Sequence, residues 1–181
     1  MAEDLVRVLA PLVARGATVV GLEPSCLFTL RDELLAMGLG ERAQSIATAA
    51  RMIEEFLAAE GGARLSLRAL PQSRALLHGH CHQKAFDAFA PVITLLRRIP
   101  GLTVDVVESS CCGMAGSFGY EAEHDDVSRA MAELSLLPAV RAAGEDTLVV
   151  AGGTSCRHQI ADLGGRAALH PVRVLARAIA K

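Results

Sequence analysis

Two adjacent cysteines, Cys111 and Cys112, stand between an apolar run and a glycine-rich loop, in the stretch Glu108-Ser109-Ser110-Cys111-Cys112-Gly113-Met114-Ala115-Gly116-Ser117-Phe118-Gly119. Neighbouring thiols can hardly pair with each other without straining the peptide between them. They are good ligands when a metal or cluster is approached from one backbone corner, so the loop reads as half of a metal–thiolate site. The other half must come from Cys26, Cys81 and Cys156. Five cysteines is an odd count, and Glu3 and Asp4 stand where an export signal carries positive charge. The default for such a chain is reduced cytosolic thiols, and their placement decides whether that default stands.

The elements that would position these thiols follow from the hydrophobic pattern. Residues 1–14 have helical apolar spacing, with Leu5, Val8, Leu9, Leu12 and Val13 on one side and Gly16 as the stop. Residues 17–22 read as a short buried strand, and Ser25 as the N-cap of a helix through Leu35. A helix over 41–59 ends at Gly61-Gly62. The segment 63–73, which contains Pro71 and has no clean period, reads as a linker. The pattern then restarts: strand 74–78, turn 80–82, helix 84–98, strand 102–107, the Cys-Cys-Gly loop, helix 121–143, strand 147–151 and helix 157–163. A last short strand at 167–170 precedes a helix over 171–180, with Pro171 in its first turn. Strands alternating with helices of this length imply crossover connections. The expected fold is therefore α/β, a mainly parallel, Rossmann-like sheet with helices on both faces.

Composition narrows the function. The chain of 181 residues is 51% hydrophobic, yet has five Phe, one Tyr and no Trp, so Ala, Val and Leu fill the core. A net charge of −2 gives no basic footprint, and nucleic acid is not an expected partner. No apolar run approaches the ~18–20 residues that span a bilayer.

Two stretches look alike. Ala10 to Gly16, Val19-Val20 and Pro24-Ser25-Cys26 run in the same order as Leu137 to Gly144, Val149-Val150 and Thr154-Ser155-Cys156. Each is helix, glycine stop, short strand, then Ser-Cys opening a helix, as a duplicated unit would be. The implied organisation is 1–62 as the C-terminal part of a first unit, 63–73 as linker and 74–181 as a complete second unit. On that reading the chain is the C-terminal part of something longer, and Cys26 belongs to a site whose other ligands lie upstream.

Every cysteine lies where a strand ends and a helix or loop begins. In a parallel sheet those junctions share one edge, where open α/β folds place their ligands. Helix N-termini there favour thiolate and anionic groups. Cys81, Cys111, Cys112 and Cys156 match the ligand count of a 4Fe–4S cluster and equally an all-cysteine zinc site. Gly113, Gly116 and Gly119 would let backbone N–H groups approach cluster sulfides. His78, His80 and His82 alternate, and His80 or His82 could support the metal or substitute for a thiol; the plainer reading is a polar turn. Glu121, Glu123, Asp125 and Asp126 read as acids complementing the start of a helix, not as a paired-carboxylate site.

The motifs His78-Gly-His-Cys-His-Gln83, Cys111-Cys112-Gly113 and Thr154-Ser-Cys-Arg-His-Gln159 resemble the cysteine-rich CCG domain found in heterodisulfide reductase and in the iron–sulfur subunit of glycolate oxidase. The chain is most similar to the C-terminal region of FAD-linked, D-lactate-dehydrogenase-type oxidoreductases with iron–sulfur motifs. The resemblance covers the whole chain: Glu23-Pro-Ser-Cys26 is like the tail of a first CCG unit, and Cys81 to Gln159 like a complete second one. It implies duplicated CCG units, the first incomplete, and a 4Fe–4S cluster passing electrons between a flavin centre and an acceptor. Where heterodisulfide reductase has Cys-x-x-Cys, Gln159 takes the second place, which removes a fifth thiolate. The expected role is a non-catalytic module of a glycolate- or D-lactate-type oxidoreductase, with FAD in a partner domain or subunit. A quinone, ferredoxin or disulfide would be the acceptor. The expected location is cytoplasmic, or peripheral at the inner membrane through a complex. The alternatives are a zinc-stabilised interaction domain and a thiol–disulfide module.

Overall fold

A computed structural model describes residues 1–61, 65–109 and 111–180. The chain starts with helix α1 (Ala2–Val13), whose inner side packs Val6, Leu9 and Val13 against Leu34, Ala43 and Ile46. Strand β1 (Val19–Gly21) follows, then α2 (Pro24–Arg31), α3 (Glu33–Ala36) and α4 (Gly40–Ala49). Next come strand β2 (Ala50–Met52), α5 (Ile53–Phe56) and a π-helical turn over Leu57–Gly61. The expected helix 41–59 is therefore interrupted. The three residues of β2 pair in parallel with β1, Val20 opposite Arg51, and bury Ala50 and Met52. Gly62, residues 63–64 of the expected linker, Ser110 and Lys181 lie outside the described residues.

The second half carries strand β3 (Arg74–His78), α6 (Cys81–Ala85), α7 (Ala90–Arg97) and strand β4 (Thr103–Val106). Two short 3-10 turns lead into α8 (Asp125–Glu133) and α9 (Leu136–Ala142), then strand β5 (Thr147–Ala151) and α10 (Thr154–Gly164). Strand β6 (Ala168–Leu169) and α11 (Pro171–Ala178) end it. The expected single helix over 121–143 breaks at Ser135, whose φ of −156° with ψ of −38° is not helical. The helix expected from 157 begins at Thr154, so Cys156 sits inside its first turn.

Among the described residues the strands form two sheets, β1–β2 and β4–β3–β5–β6, and every pairing is parallel. The larger sheet is covered on both faces, and strand alternation sorts its residues. Ala75, Leu77, Leu148 and Val150 meet α7 and α11 through Val92, Leu96, Val174 and Leu175. Leu76, Val149 and Ala151 face the other way, onto Leu136, Val140 and Ile160 of α9 and α10. Burying each such Leu or Val stabilises the fold by about 1.5–3 kcal/mol. The two layers hold β3, β4 and β5 side by side with their C-terminal ends at one edge. Within the expected linker the chain meets its own C-terminal end: Leu67 bridges Ile179, and Arg68 N–H donates to the Ala178 carbonyl at 2.7 Å. No described helix is long and apolar enough to cross a membrane.

Candidate metal centre

Three neighbouring strands each deliver sulfur to the same edge. β3 exits through His78-Gly79-His80 into Cys81, the first residue of α6. β4 leads to Cys111 and Cys112, and β5 through Gly152-Gly153 to Cys156 in the first turn of α10. Because β3 lies between the other two strands, thiols far apart in sequence converge. Cys81 is in contact with Cys111, Cys111 with Cys112, and Cys112 with Cys156. Cys112 and Cys156 are buried, while Cys81 and Cys111 are partly open to a cavity of about 380 Å³.

Mutual hydrogen bonding splits the acidities of this row of sulfurs. Hydrogen bonds from Cys112 and then Cys81 draw the Cys111 thiol far below its usual range, against the opposing effect of burial. Donating to Cys111 pushes Cys81 up, and burial adds to that; donating to Cys111 and Cys156 pushes Cys112 up further. The hydrogen bond from Cys112 brings Cys156 down to about 5, with burial opposing and His78 assisting. This donor set fits a cation or cationic cluster, because a bound metal displaces the remaining protons and takes all four sulfurs as thiolates.

Backbone and histidine groups surround the sulfurs. Gly113 N–H donates to Cys111 Sγ at 3.3 Å. Gly113 has φ +93°, and a Cβ there would lie 2.2 Å from the Ser128 carbonyl oxygen, so glycine is required where the loop crosses α8. Gly116 lines the cavity. His80 Nδ1 accepts the His82 N–H at 3.2 Å, which leaves the ring proton on Nε2, facing Ser25 Oγ at 3.4 Å. Burial lowers the His80 pKa below its usual value. His82 also lines the cavity, and its Nδ1 has no hydrogen-bond partner among the described residues. Lys84 of α6 donates to the Ser109 carbonyl and ties the two strand exits together. Cys26 is exposed and is not part of the cavity wall, although its neighbour Ser25 is.

His78 is the residue that the sequence pattern does not single out. It ends β3 and is 2% exposed, with Nδ1 2.8 Å from Ser109 Oγ. Its Nε2 has no hydrogen-bond partner among the described residues, and one nitrogen of the ring lies within 4.8 Å of both Cys112 and Cys156 Sγ. Alternation in a strand places the three histidines together but gives no sign of which one faces sulfur. Gln159 is 5% exposed and donates to the Ser128 carbonyl at 3.3 Å and to Ser128 Oγ at 3.0 Å. It fastens α10 to α8 behind the cysteine loop.

The chain has relatives among dehydrogenases. It is 32% identical over 169 residues to one subunit of the anaerobic glycerol-3-phosphate dehydrogenase of Escherichia coli strain K12, an alignment covering 92% of this chain and 41% of the relative. It is 29% identical over 163 residues to the D-2-hydroxyglutarate dehydrogenase of the same strain, covering 88% of this chain and 15% of that one. The Pseudomonas putida D-2-hydroxyglutarate dehydrogenase is 27% identical over 172 residues, 92% of this chain and 16% of the relative. The chain thus spans less than half the length of these relatives. No family model matches it, and no solved structure matches it. These homologues, at modest identity, are oxidoreductases, and the thiol and imidazole groups at the sheet edge are compatible with a metal or iron–sulfur cofactor.

Proposed function

We propose that the chain is an iron–sulfur electron-transfer module of a flavin-dependent oxidoreductase, with a 4Fe–4S cluster held by Cys81, Cys111, Cys112 and Cys156. The observation that carries this reading is the delivery of four thiols from three adjacent parallel strands to one sheet edge, three of them lining one cavity and Cys156 buried beside Cys112, in a chain whose relatives are dehydrogenases. When bound, such a cluster accepts and passes on single electrons. The chain's own residues hold and tune it. Gly113 offers an N–H to sulfur, the first turn of α10 presents Cys156 at a positive helix end, and His80 and His82 wall the cavity.

Both substrates named by the relatives, glycerol 3-phosphate and 2-hydroxyglutarate, carry a secondary alcohol. The oxidation proposed for the parent assembly is that of an alcohol to a carbonyl, a 2-hydroxy acid being the expected substrate, either the secondary alcohol of the D-lactate type or the primary alcohol glycolate. The flavin lies in a dehydrogenase domain or subunit outside this chain, and a quinone, ferredoxin or disulfide takes the electrons. The assembly is cytoplasmic, or peripheral at the inner membrane. Residues 1–62 and 74–181 are units of one kind joined by 63–73. In support, Cys26 follows Val20 at the spacing with which Cys156 follows Val150, and both strands have a short parallel neighbour on one side. Cys26 is then the ligand contributed by the first unit.

Zinc is the second reading. It is favoured by the His78 ring beside Cys112 and Cys156, since zinc takes mixed imidazole and thiolate sets. Anaerobic purification followed by iron, sulfide and zinc analysis separates the two. Iron with sulfide in near-equal amounts is expected. Zinc without sulfide refutes the cluster, and metal-free protein with thiol-exchange activity would favour a thiol–disulfide role instead.

A further inference from the structure

Glu23 stands on the turn after β1, far in sequence from the cysteines of the centre, yet its side chain ends at α10. Its Oε2 accepts the Thr154 backbone N–H at 2.9 Å and the Thr154 hydroxyl at 2.7 Å. Thr154 opens α10, and the N-cap Gly153 has no side chain with which to satisfy the free N–H groups. A larger residue cannot take that place, because a Cβ on Gly153 would lie 2.4 Å from the His80 ring and 3.2 Å from Cys156 Sγ. The cap must therefore come from elsewhere in the chain, and Glu23 supplies it. Arg157 completes the brace, donating to the Ala151 carbonyl at 3.2 Å, the Gly152 carbonyl at 2.5 Å and Thr154 Oγ1 at 3.0 Å. The same turn makes two more contacts with the second half: His170 Nε2 donates to the Leu22 carbonyl at 2.9 Å, and Ser25 meets His80.

We propose that Glu23 is a positioning residue for the metal centre: it holds the α10 turn that carries Cys156 and places a fixed negative charge beside it. A helix N-terminus carries roughly half a positive charge, which favours added electrons nearby; a carboxylate on that end offsets it. Reduction of a cluster adds negative charge, so Glu23 holds the reduction potential down. The electrostatic half of this inference rests on the cluster reading, whereas the mechanical half does not.

Two variants of the full chain separate the halves. In the metal-free protein, hydrogen exchange at the Thr154 amide should be at least about tenfold faster in Glu23→Ala than in the parent, because its acceptor is gone. Unchanged exchange there overturns the brace, whatever metal the protein binds. After anaerobic reconstitution, Glu23→Gln retains the shape and an acceptor oxygen but loses the charge. It should bind iron normally and shift the one-electron equilibrium toward the reduced form by about threefold or more, ~28 mV. An unchanged potential at equal iron content overturns the electrostatic role. A parent protein that takes up neither iron nor sulfide overturns the cluster reading and with it that role, while the exchange measurement still decides the brace.

Discussion

Replacing Glu54 with glutamine should flatten the dependence of this protein's stability on pH. Glu54 is 1% exposed, and neither carboxylate oxygen has a hydrogen-bond partner among the described residues. Its neighbour Glu55, by contrast, binds Arg31 at 2.8 Å and accepts the Met52 N–H at 2.8 Å. Burial raises the Glu54 pKa to about 7 from the ordinary 4.5, its own backbone N–H opposes this, and the Glu55 charge adds to it. The native state therefore keeps a proton that the unfolded chain loses above pH 4.5. Stability is full below that pH, falls as pH rises toward 7, and levels off above it. A shift of this size corresponds to about 3 kcal/mol, of which some 2 to 3 kcal/mol is lost between about pH 5 and 8. Urea unfolding of the metal-free, reduced protein at several pH values, parent against Glu54→Gln, measures it as a difference in which the other titrating groups cancel. The variant should be equal or slightly less stable at pH 5, where both side chains are neutral, and more stable at pH 8. Parallel curves, within about 0.5 kcal/mol across the range, would refute the claim that an ionised carboxylate is penalised at this position.

Changing Cys112 to Ser should abolish cluster absorbance after reconstitution, since the buried sulfur touches both Cys111 and Cys156; full retention contradicts its assignment as a ligand. Gly113→Ala should destabilise the metal-free chain by more than about 2 kcal/mol in urea titration, because positive φ and the Ser128 carbonyl both oppose a side chain. Gln159→Leu removes both hydrogen bonds to Ser128 at a buried position and should cost about 1–3 kcal/mol by the same assay, with faster alkylation of Cys112 as the loop loosens.

The sheet is readable in the sequence because β3 and β5 are short, largely apolar runs with glycine just beyond them, and a buried parallel strand has no other signature to offer. β2 is not. Its residues Ala50, Arg51 and Met52 sit inside the helical stripe of Ile46, Ala49, Ile53 and Phe56, and only pairing with β1 draws them out of the helix. The break at Ser135 is hidden for a similar reason, since the apolar spacing runs through it. At the centre, thiol convergence follows from topology alone. The roles of His78, Glu23 and Gln159 do not, because each depends on which way a side chain turns once distant segments have met. In the sequence Gln159 stands out for the thiol it replaces, not for the two bonds it makes.

The spacing of the thiols along the chain has one more consequence. Cys81, Cys111, Cys112 and Cys156 ride on strands that are neighbours in the sheet but separated by whole helices in sequence. A group bound to all of them acts as a cross-link closing long loops, and so it restricts the unfolded chain more than a short C-x-x-C clip would. Loss of that group would be a loss of anchorage for the whole sheet edge. Oxidative damage to the centre would then register first as proteolytic sensitivity of the loop after β4, before any strand of the core came apart.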